Sequence, residues 1–470
     1  MVHYMQPLLY QNEERTVVLI DIPASIAAAQ ATCRYSPCHT LLSAEPQKCP
    51  YETNDPKSIK ARAKLNGNTA NAELESTYEG IIQDALTEVR SKHTGDWCLP
   101  RELMPPTGRR SKKRKLDNFN SKKTDEENPI SSRNPTGLSE QIPSLGPENL
   151  SYLLQCLTRD ASGSSGNAET YRVSYRAHKS VDTAKPTGLG AIPNHDEQTW
   201  DPVHSNPHHH PVELTIQQSS ASINVQAGHT FYIPPECTFI LGDCREPATL
   251  RTAVRNAAQE RSDSRRFDFI LLDPPWPNAS VKRQNTYSTG FNLRDTKQLI
   301  VGMDLDTLIA ANGLVGVWVT NKPAVRSLVL GLGGLFESLN VGLTEEWIWV
   351  KTTVDGQPIT AIDGLWRKPY EVLLLARAPE DPLQVATEAT AIKRRVIVGV
   401  PDLHSRKPCL KSLIEPYMPD QKNYRALEIF ARYLVAGWWS WGDEVLKFSW
   451  DSCWTHELSN PSEHRESPQV

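Results

Sequence analysis

Phe267-Asp268-Phe269-Ile270-Leu271-Leu272 runs without a break into Asp273-Pro274-Pro275-Trp276. A short, continuous apolar run of this kind fits a strand buried on both faces, as in a sheet covered by helices. The two prolines fix the backbone and remove two N–H donors, so the strand must end in a rigid turn at Asp273. Similar runs follow this pattern at residues 238–241, 314–320, 346–352, 371–376, 395–400 and 427–430. Helical periodicity lies between them at 304–311, where Asn312-Gly313 would stop the helix, at 323–330 and at 410–417. Seven strands interleaved with helices predict an α/β, doubly wound sheet over residues 231–450, with ligands at the carboxyl ends of its strands.

The whole chain has 470 residues, enough for about two to four domains. Hydrophobic residues at 39% support a sizeable core, and a formal charge of -4 excludes a chain that grips nucleic acid by bulk charge. Charge is uneven. Nine Lys/Arg against three Asp/Glu between residues 101 and 125 give +6 there and -10 elsewhere. The densest part, Arg109-Arg110-Ser111-Lys112-Lys113-Arg114-Lys115, cannot bury itself and predicts a disordered basic linker over 101–148. Such a run is read by nuclear import receptors or by phosphates.

Ahead of the linker, residues 16–20 alternate like a strand and 72–89 carry apolar residues at helical spacing, which predicts a small module over 1–100. After it comes a partly ordered accessory segment, 149–230, with a helix over 147–157, a Gly/Ser joint at 162–166 and a Pro- and His-rich stretch at 193–211 expected outside any core; 451–470 reads as a tail. No apolar run approaches the ~18 to 20 residues that span a bilayer. Glu13, Glu14 and Arg15 precede the apolar stretch at 16–29 and Asp21 interrupts it, which argues against secretion. The nine cysteines form no C-x-x-C pair and predict free thiols in a reducing compartment. His208 to His210 are adjacent and would seldom converge on one ion, and Cys33, Cys38, His39 and Cys49 fit no common finger, so no metal is expected. Gly331-Leu332-Gly333-Gly334 follows a helix rather than a strand, which makes it a helix end and not a phosphate cradle.

The chemistry gathers at the proline turn. The Asp273 carboxylate and Pro274 carbonyl are adjacent acceptors beside the aromatic face of Trp276, a combination suited to an amino group on a flat ring. Such an amine is a poor nucleophile because its lone pair is delocalised. Two acceptors holding its hydrogens favour a pyramidal nitrogen and free that lone pair for attack on an electrophilic methyl.

Asp273-Pro274-Pro275-Trp276 resembles the D-P-P-W signature of the adenine-N6 methyltransferases related to the eukaryotic messenger-RNA adenosine methyltransferase. Ser280-Val281-Lys282-Arg283, Asn285 and Tyr287-Ser288 look more narrowly like the methyltransferase-like protein four branch. Further matches are Trp318-Val319-Thr320-Asn321, Lys368-Pro369-Tyr370-Glu371, Leu403-His404-Ser405 with Lys407-Pro408, Phe430-Ala431-Arg432 and Gly437-Trp438 with Ser440-Trp441-Gly442. The resemblance covers roughly residues 231–448 and implies a Rossmann-like seven-stranded methyltransferase domain.

It also implies S-adenosyl-L-methionine as methyl donor and adenine as acceptor. Asp273, Pro274, Pro275 and Trp276 would be catalytic. Asp243, Cys244, Asp273, Lys407, Arg432, Asp443 and Glu444 would hold the methyl donor, and Asn278, Lys282, Arg283 and Tyr287 the substrate. Two positions depart from the branch: Asp443 stands where Asn is expected, and Thr286 where Arg is expected. The resulting expectation is a monomeric nuclear enzyme that methylates the N6 amine of adenine in RNA, (2′-O-methyl)adenosine of a small nuclear or other RNA in particular. A DNA adenine methyltransferase and a catalytically idle nucleic-acid-binding subunit are the alternatives.

Overall fold

The computed structural model describes residues 6–32, 39–52, 72–105, 147–161, 170–177, 198–219, 228–261, 264–277, 292–364 and 367–455. Fifteen strands are found among them: β1 Leu8–Gln11, β2 Val17–Ile20, β3 Thr170–Ala177, β4 Gln198–Thr199, β5 Val203–Ser205, β6 Val212–Ser219, β7 Gly228–Ile233, β8 Thr238–Leu241, β9 Phe267–Leu272, β10 Ile309–Val319, β11 Gly342–Lys351, β12 Tyr370–Arg377, β13 Lys393–Gly399, β14 Ala426–Ile429 and β15 Trp439–Gly442. Eleven form one sheet in the order β1-β2-β13-β11-β12-β10-β9-β14-β15-β8-β5, and β4-β3-β6-β7 form a second.

The opening stretch is the centre of this sheet. β9 runs parallel to β10 on one side and to β14 on the other, with Ile270 opposite Val315 and Leu427. Its side chains alternate between two cores: Ile270 and Leu272 enter one, Phe269 and Leu271 the other. A strand covered on both faces needs apolar residues at successive positions, which is why the run is unbroken. β14, β15 and β8 continue the parallel set. The carboxyl ends of β8, β9, β14 and β15 therefore open onto one edge.

The α/β class stands, but the sheet has eleven strands where the sequence predicted seven. Residues 8–20, assigned to a separate module, add two strands at one edge, β2 pairing in parallel with β13. Helix Ala72–Lys92 also joins this core, burying Tyr78, Ile82, Ala85, Leu86 and Val89 beside sheet residues. The Pro- and His-rich stretch supplies the opposite edge strand, β5, and buries His204 and Asn206. The helix expected at 304–311 is instead a 3-10 turn, Leu305–Leu308, entering β10. Leu305 and Leu308 bury at helical spacing, but Ile309 is already paired with Phe267, so the chain extends five residues before the expected start at 314. Asn312, at φ 58°, and Gly313 make the irregularity that restores register by Leu314. The helix read at 410–417 is shorter, Lys411–Ile414 followed by a 3-10 turn, Glu415–Tyr417.

Helix Pro323–Leu330 forms as expected and stops at Gly331, and Gly333 takes the positive φ that a glycine accepts freely. His208 and His210 stack on each other while His209 faces Glu236. His39 stacks on Tyr232, and Cys49 is an exposed free thiol; Cys33 and Cys38 lie outside the described residues. So do Arg109 to Lys115 and most of the linker. No described helix is long and apolar enough to cross a membrane.

Candidate active site

Four parallel strands release their chains at the same edge, and the turns after them line one cleft. Asp243, Cys244 and Arg245 follow β8, Asp273 and Pro275 follow β9, Phe430 and Arg432 follow β14, and Asp443 and Glu444 follow β15. Leu299, on helix Leu293–Val301, completes the wall. This is the crevice at which doubly wound sheets bind ligands.

Asp273 is at the centre of the cleft's charges. Lys407 donates to both of its carboxylate oxygens at 2.8 and 2.9 Å, and Arg432 Nη1 donates to Oδ2 at 3.0 Å. Each cation has a second carboxylate: Lys407 lies 3.3 Å from Glu371, and Arg432 donates to Glu444 at 3.1 Å. Lys351 and Lys447 close the two ends, at 2.5 Å from Glu371 and 2.7 Å from Glu444. The chain is thus Lys351–Glu371–Lys407–Asp273–Arg432–Glu444–Lys447, alternating in sign throughout.

Burial works against the charge of Lys407, but the carboxylates of Asp273 and Glu371 overcome it and raise its pKa above the ordinary lysine value. Burial alone would raise the Glu371 carboxyl; Lys407 and Lys351 instead bring it down to about 2. Burial likewise opposes ionisation of Glu444, and the neighbouring Lys447 and Arg432 hold it below the usual carboxylate range.

The β8 and β15 side of the cleft is acidic. Asp243 would be raised by burial, but its hydrogen bonds with Arg245 keep it low. At Asp443 the pull of Arg432 is outweighed. Burial, then Glu444 and Asp243, push its carboxyl up to about 6. A protonated carboxyl donates as well as accepts, so below that value Asp443 regains the donor that an asparagine would carry. The Cys244 thiol is fully buried against the Phe430 backbone, and burial raises it far out of the thiolate range, so it serves as wall rather than nucleophile. Phe430 adopts φ 63°, a conformation costly for an aromatic residue and common where a binding site fixes the chain.

The proline turn is built from within. Trp276 N–H donates to the Pro274 carbonyl at 2.8 Å, which leaves that oxygen one lone pair for another donor. The Trp276 ring is buried in the core, and its indole N–H donates to the Trp318 carbonyl at 2.7 Å. Its structural effect is to fasten the turn to β10 rather than to offer an open stacking face. Asp273 and Pro275 do face the cleft, so the acidic elbow is not sealed. Asn278, Lys282, Arg283 and Tyr287 lie outside the described residues, as does Thr286.

Sequence reasoning assigned no role to Glu371, Lys351 or Phe430, although all three stand in quoted or expected segments. Glu371 is the second residue of β12, which is antiparallel to its neighbours, so the amino end of β12 meets the carboxyl ends of β10 and β11. Only the pairing shows that. Helix Ala72–Lys92 buttresses the same point: Lys368 pairs with Glu75 and Glu79, and Tyr78 packs edge-on against Tyr370.

Whether these residues suit S-adenosyl-L-methionine can be tested by the donor set. A nucleoside presents hydroxyl and amino donors, which require acceptors such as Asp243, Asp443 and Glu444. An amino-acid carboxylate requires a cation, supplied by Lys407, and a sulfonium is favoured beside a carboxylate such as Asp273. The residues present fit the group.

Residues 267–444 match the MT-A70 family model. Over 466 residues the chain is 28% identical to "N6-methyladenosine RNA methyltransferase MTA1" of Pyricularia oryzae, covering 95% of this chain and 96% of the relative. It is 37% identical over 229 residues to "N(6)-adenine-specific methyltransferase METTL4" of Mus musculus, covering 47% of this chain and 44% of the relative. It is 27% identical over 234 residues to "DNA N6-methyl methyltransferase" of Caenorhabditis elegans, covering 49% and 58%. The chain thus spans nearly all of the first relative and about half of the other two. The matched segment begins at β9 and ends at Glu444, so it contains the proline turn, both cations on Asp273 and the acidic pair; these residues form an MT-A70 domain within the chain.

Proposed function

We propose that this chain transfers a methyl group from S-adenosyl-L-methionine to the exocyclic N6 amine of adenine in RNA. The observation that carries the reading is Asp273: a carboxylate at the end of the central strand, facing the cleft, fixed from two sides by Lys407 and Arg432 and followed by a carbonyl with a free lone pair. That arrangement suits two hydrogens on one nitrogen, and rigid acceptors act without reorganising during the reaction.

When bound, S-adenosyl-L-methionine supplies an electrophilic methyl carbon. Asp243, Cys244, Lys407, Arg432, Asp443 and Glu444 would hold it. Asp273 and the Pro274 carbonyl accept the hydrogens of the amine and turn its lone pair outward. The nitrogen becomes acidic only after it is methylated, so no base is needed beforehand, and its proton leaves to Asp273 or water. Trp276 contributes by anchoring the turn. Lys282 and Arg283 would meet backbone phosphates, which gives affinity without sequence choice. Tyr287 and Asn278 would meet the base or its neighbour.

Duplex substrates would have to surrender the base from the stack, so unpaired adenosine, including 2′-O-methylated adenosine, is the favoured target. The name of the Pyricularia relative, aligned along nearly its whole length, supports RNA; that of the Caenorhabditis relative supports DNA as the second reading. Arg109 to Lys115 fits a nuclear import receptor, which would place the enzyme in the nucleus, acting as a monomer. The test is transfer from labelled methyl donor to matched single-stranded RNA and DNA oligonucleotides, with and without 2′-O-methyl adenosine, with Asp273→Ala as the blank. RNA labelling that is lost in the blank is the expected result. Labelling of DNA equal to or above every RNA would overturn the substrate class, and no labelling of either would overturn the activity.

A further inference from the structure

Glu428 lies one strand away from Asp273. Its partner across the parallel ladder is Leu271, and side chains two apart on a strand share a face, so Glu428 and Asp273 project from the same side of the sheet. Glu428 is 8% exposed. Titratable and charged groups face it from three places, Asp273 at the end of β9, Arg432 and Tyr433 just after β14, and Lys407 and Cys409 on the segment following β13, while its partner on β15 is the uncharged Ser440. Both cations are turned to Asp273, and among the described residues no lysine or arginine forms an ion pair with Glu428.

A buried carboxylate beside a second one, with no cation of its own, is costly. Burial, and then the charge of Asp273, push the Glu428 carboxyl up to about 8, against the pull of Arg432 and Lys407. It carries its proton at neutral pH. Cys409 and Tyr433, both raised by burial, are neutral there too.

We propose that Glu428 is a positioning residue for methyl transfer: as an uncharged acid beneath the site it leaves Lys407 and Arg432 committed to Asp273 and so fixes the acceptor that orients the amine. This rests on the amine-holding role of Asp273 given above. An ionised Glu428 would compete for both cations, and Asp273 would lose its fixed direction.

The test compares wild type with Glu428→Gln, which keeps a neutral hydrogen-bonding group, in two measurements. In the first, melting temperature is followed against pH without methyl donor. A carboxyl raised in the folded state costs stability progressively from its unfolded value of about 4.5 up to about 8, so the Gln variant should gain on wild type across that window and hold its lead above it. In the second, kcat/KM on an adenosine oligonucleotide should fall about tenfold per pH unit above pH ~8 in wild type. The Gln variant should keep at least about a third of the wild-type value at pH 7 and lose that alkaline limb, a conservative rescue that mere packing would not give.

An alkaline limb at the same pH in both proteins, or a melting difference constant across pH, would overturn the proposal. If Glu428→Gln does not fold, carbon-13 titration of the wild-type glutamate carboxyls replaces it; absence of a carboxyl titrating near the alkaline limb would overturn the proposal equally. Failure of wild type to methylate any oligonucleotide would instead sink the functional reading, while the melting measurement still reports on Glu428.

Discussion

Glu371→Gln isolates the ion network from the chemistry it supports. Glu371 takes Lys351 at 2.5 Å and Lys407 at 3.3 Å, and the amide keeps its shape while removing its charge. A carboxyl held at about 2 instead of its ordinary 4.5 corresponds to roughly 3 kcal/mol at neutral pH, at about 1.36 kcal/mol per pKa unit. Solvent still reaches 27% of the side chain, and screening reduces the expected cost to about 1–2 kcal/mol. The sign follows from the direction of the shift: a depressed carboxyl stabilises the fold above its unfolded value and loses that contribution as pH falls through the folded one. Urea unfolding at pH 7 should therefore show the variant less stable, with the gap steady down to about pH 5 and closing toward pH 2. Lys407 would keep Asp273 as its one carboxylate, so methyl transfer should fall about tenfold, the ordinary scale for losing a positioning contact. Equal stability at pH 7, or a gap that does not narrow on acidification, would refute the network.

Asp443→Asn fixes the residue in a neutral, donor-bearing form. Because burial and its acidic neighbours hold the carboxyl at about 6, wild type bears a cost that is complete above that value and absent below about 3.8; the variant should gain melting temperature at pH 7 and none at pH 3.5. Calorimetry should also show S-adenosyl-L-methionine binding that weakens through pH ~6 in wild type and stays flat in the variant. Glu346→Gln leaves Arg326 and Arg394 facing a buried amide at a site 1% exposed, and should cost about 3 kcal/mol in urea unfolding. Trp276→Phe removes the donor to the Trp318 carbonyl, and should cost about 1–2 kcal/mol and lower kcat more than it raises KM, since the turn loosens while the cleft walls remain.

Residues whose reading needed only local physics were legible. β9 announced itself because burial on both faces leaves no polar position, and the double proline marked its end. β8, β11, β12, β13 and β14 were found for the same reason. β15 was not recognised as a strand: four residues, three of them Trp, Ser and Trp, give no length over which periodicity can register. Residues 305–308 misled because Leu305 and Leu308 bury at helical spacing in a 3-10 turn as they would in a helix. The strands β1, β2 and β5 were legible as extended segments or not at all, but never as members of this sheet; β2 pairs with a strand nearly 400 residues away, which leaves no local trace. The site divides in the same way. Asp273, Lys407, Arg432 and the acidic pair were reached through motifs, whereas Glu371 and Glu428 act through neighbours brought to them by strand order.

That division bears on how the cleft treats charge. Asp243, Asp443 and Glu444 follow β8 and β15 and make one side acidic, with Arg245 paired to Asp243 there, while Arg432, on the wall, and Lys407 stand against Asp273. A molecule with hydroxyls at one end and a carboxylate at the other would meet the acidic side with the first and the cations at Asp273 with the second. Asp273 has to stay aimed while cations lie close enough to be drawn to an incoming carboxylate. The alternating ion chain answers that requirement, because Glu371 and Glu444 hold the two cations from behind and limit how far either can leave. A neutral Glu428 beneath them answers it too, by offering the cations no competing charge. A surface that only bound nucleic acid would need the cations outward and unpaired; here each is shared between Asp273 and a second carboxylate beside the cleft, the arrangement of a site that orients rather than merely holds.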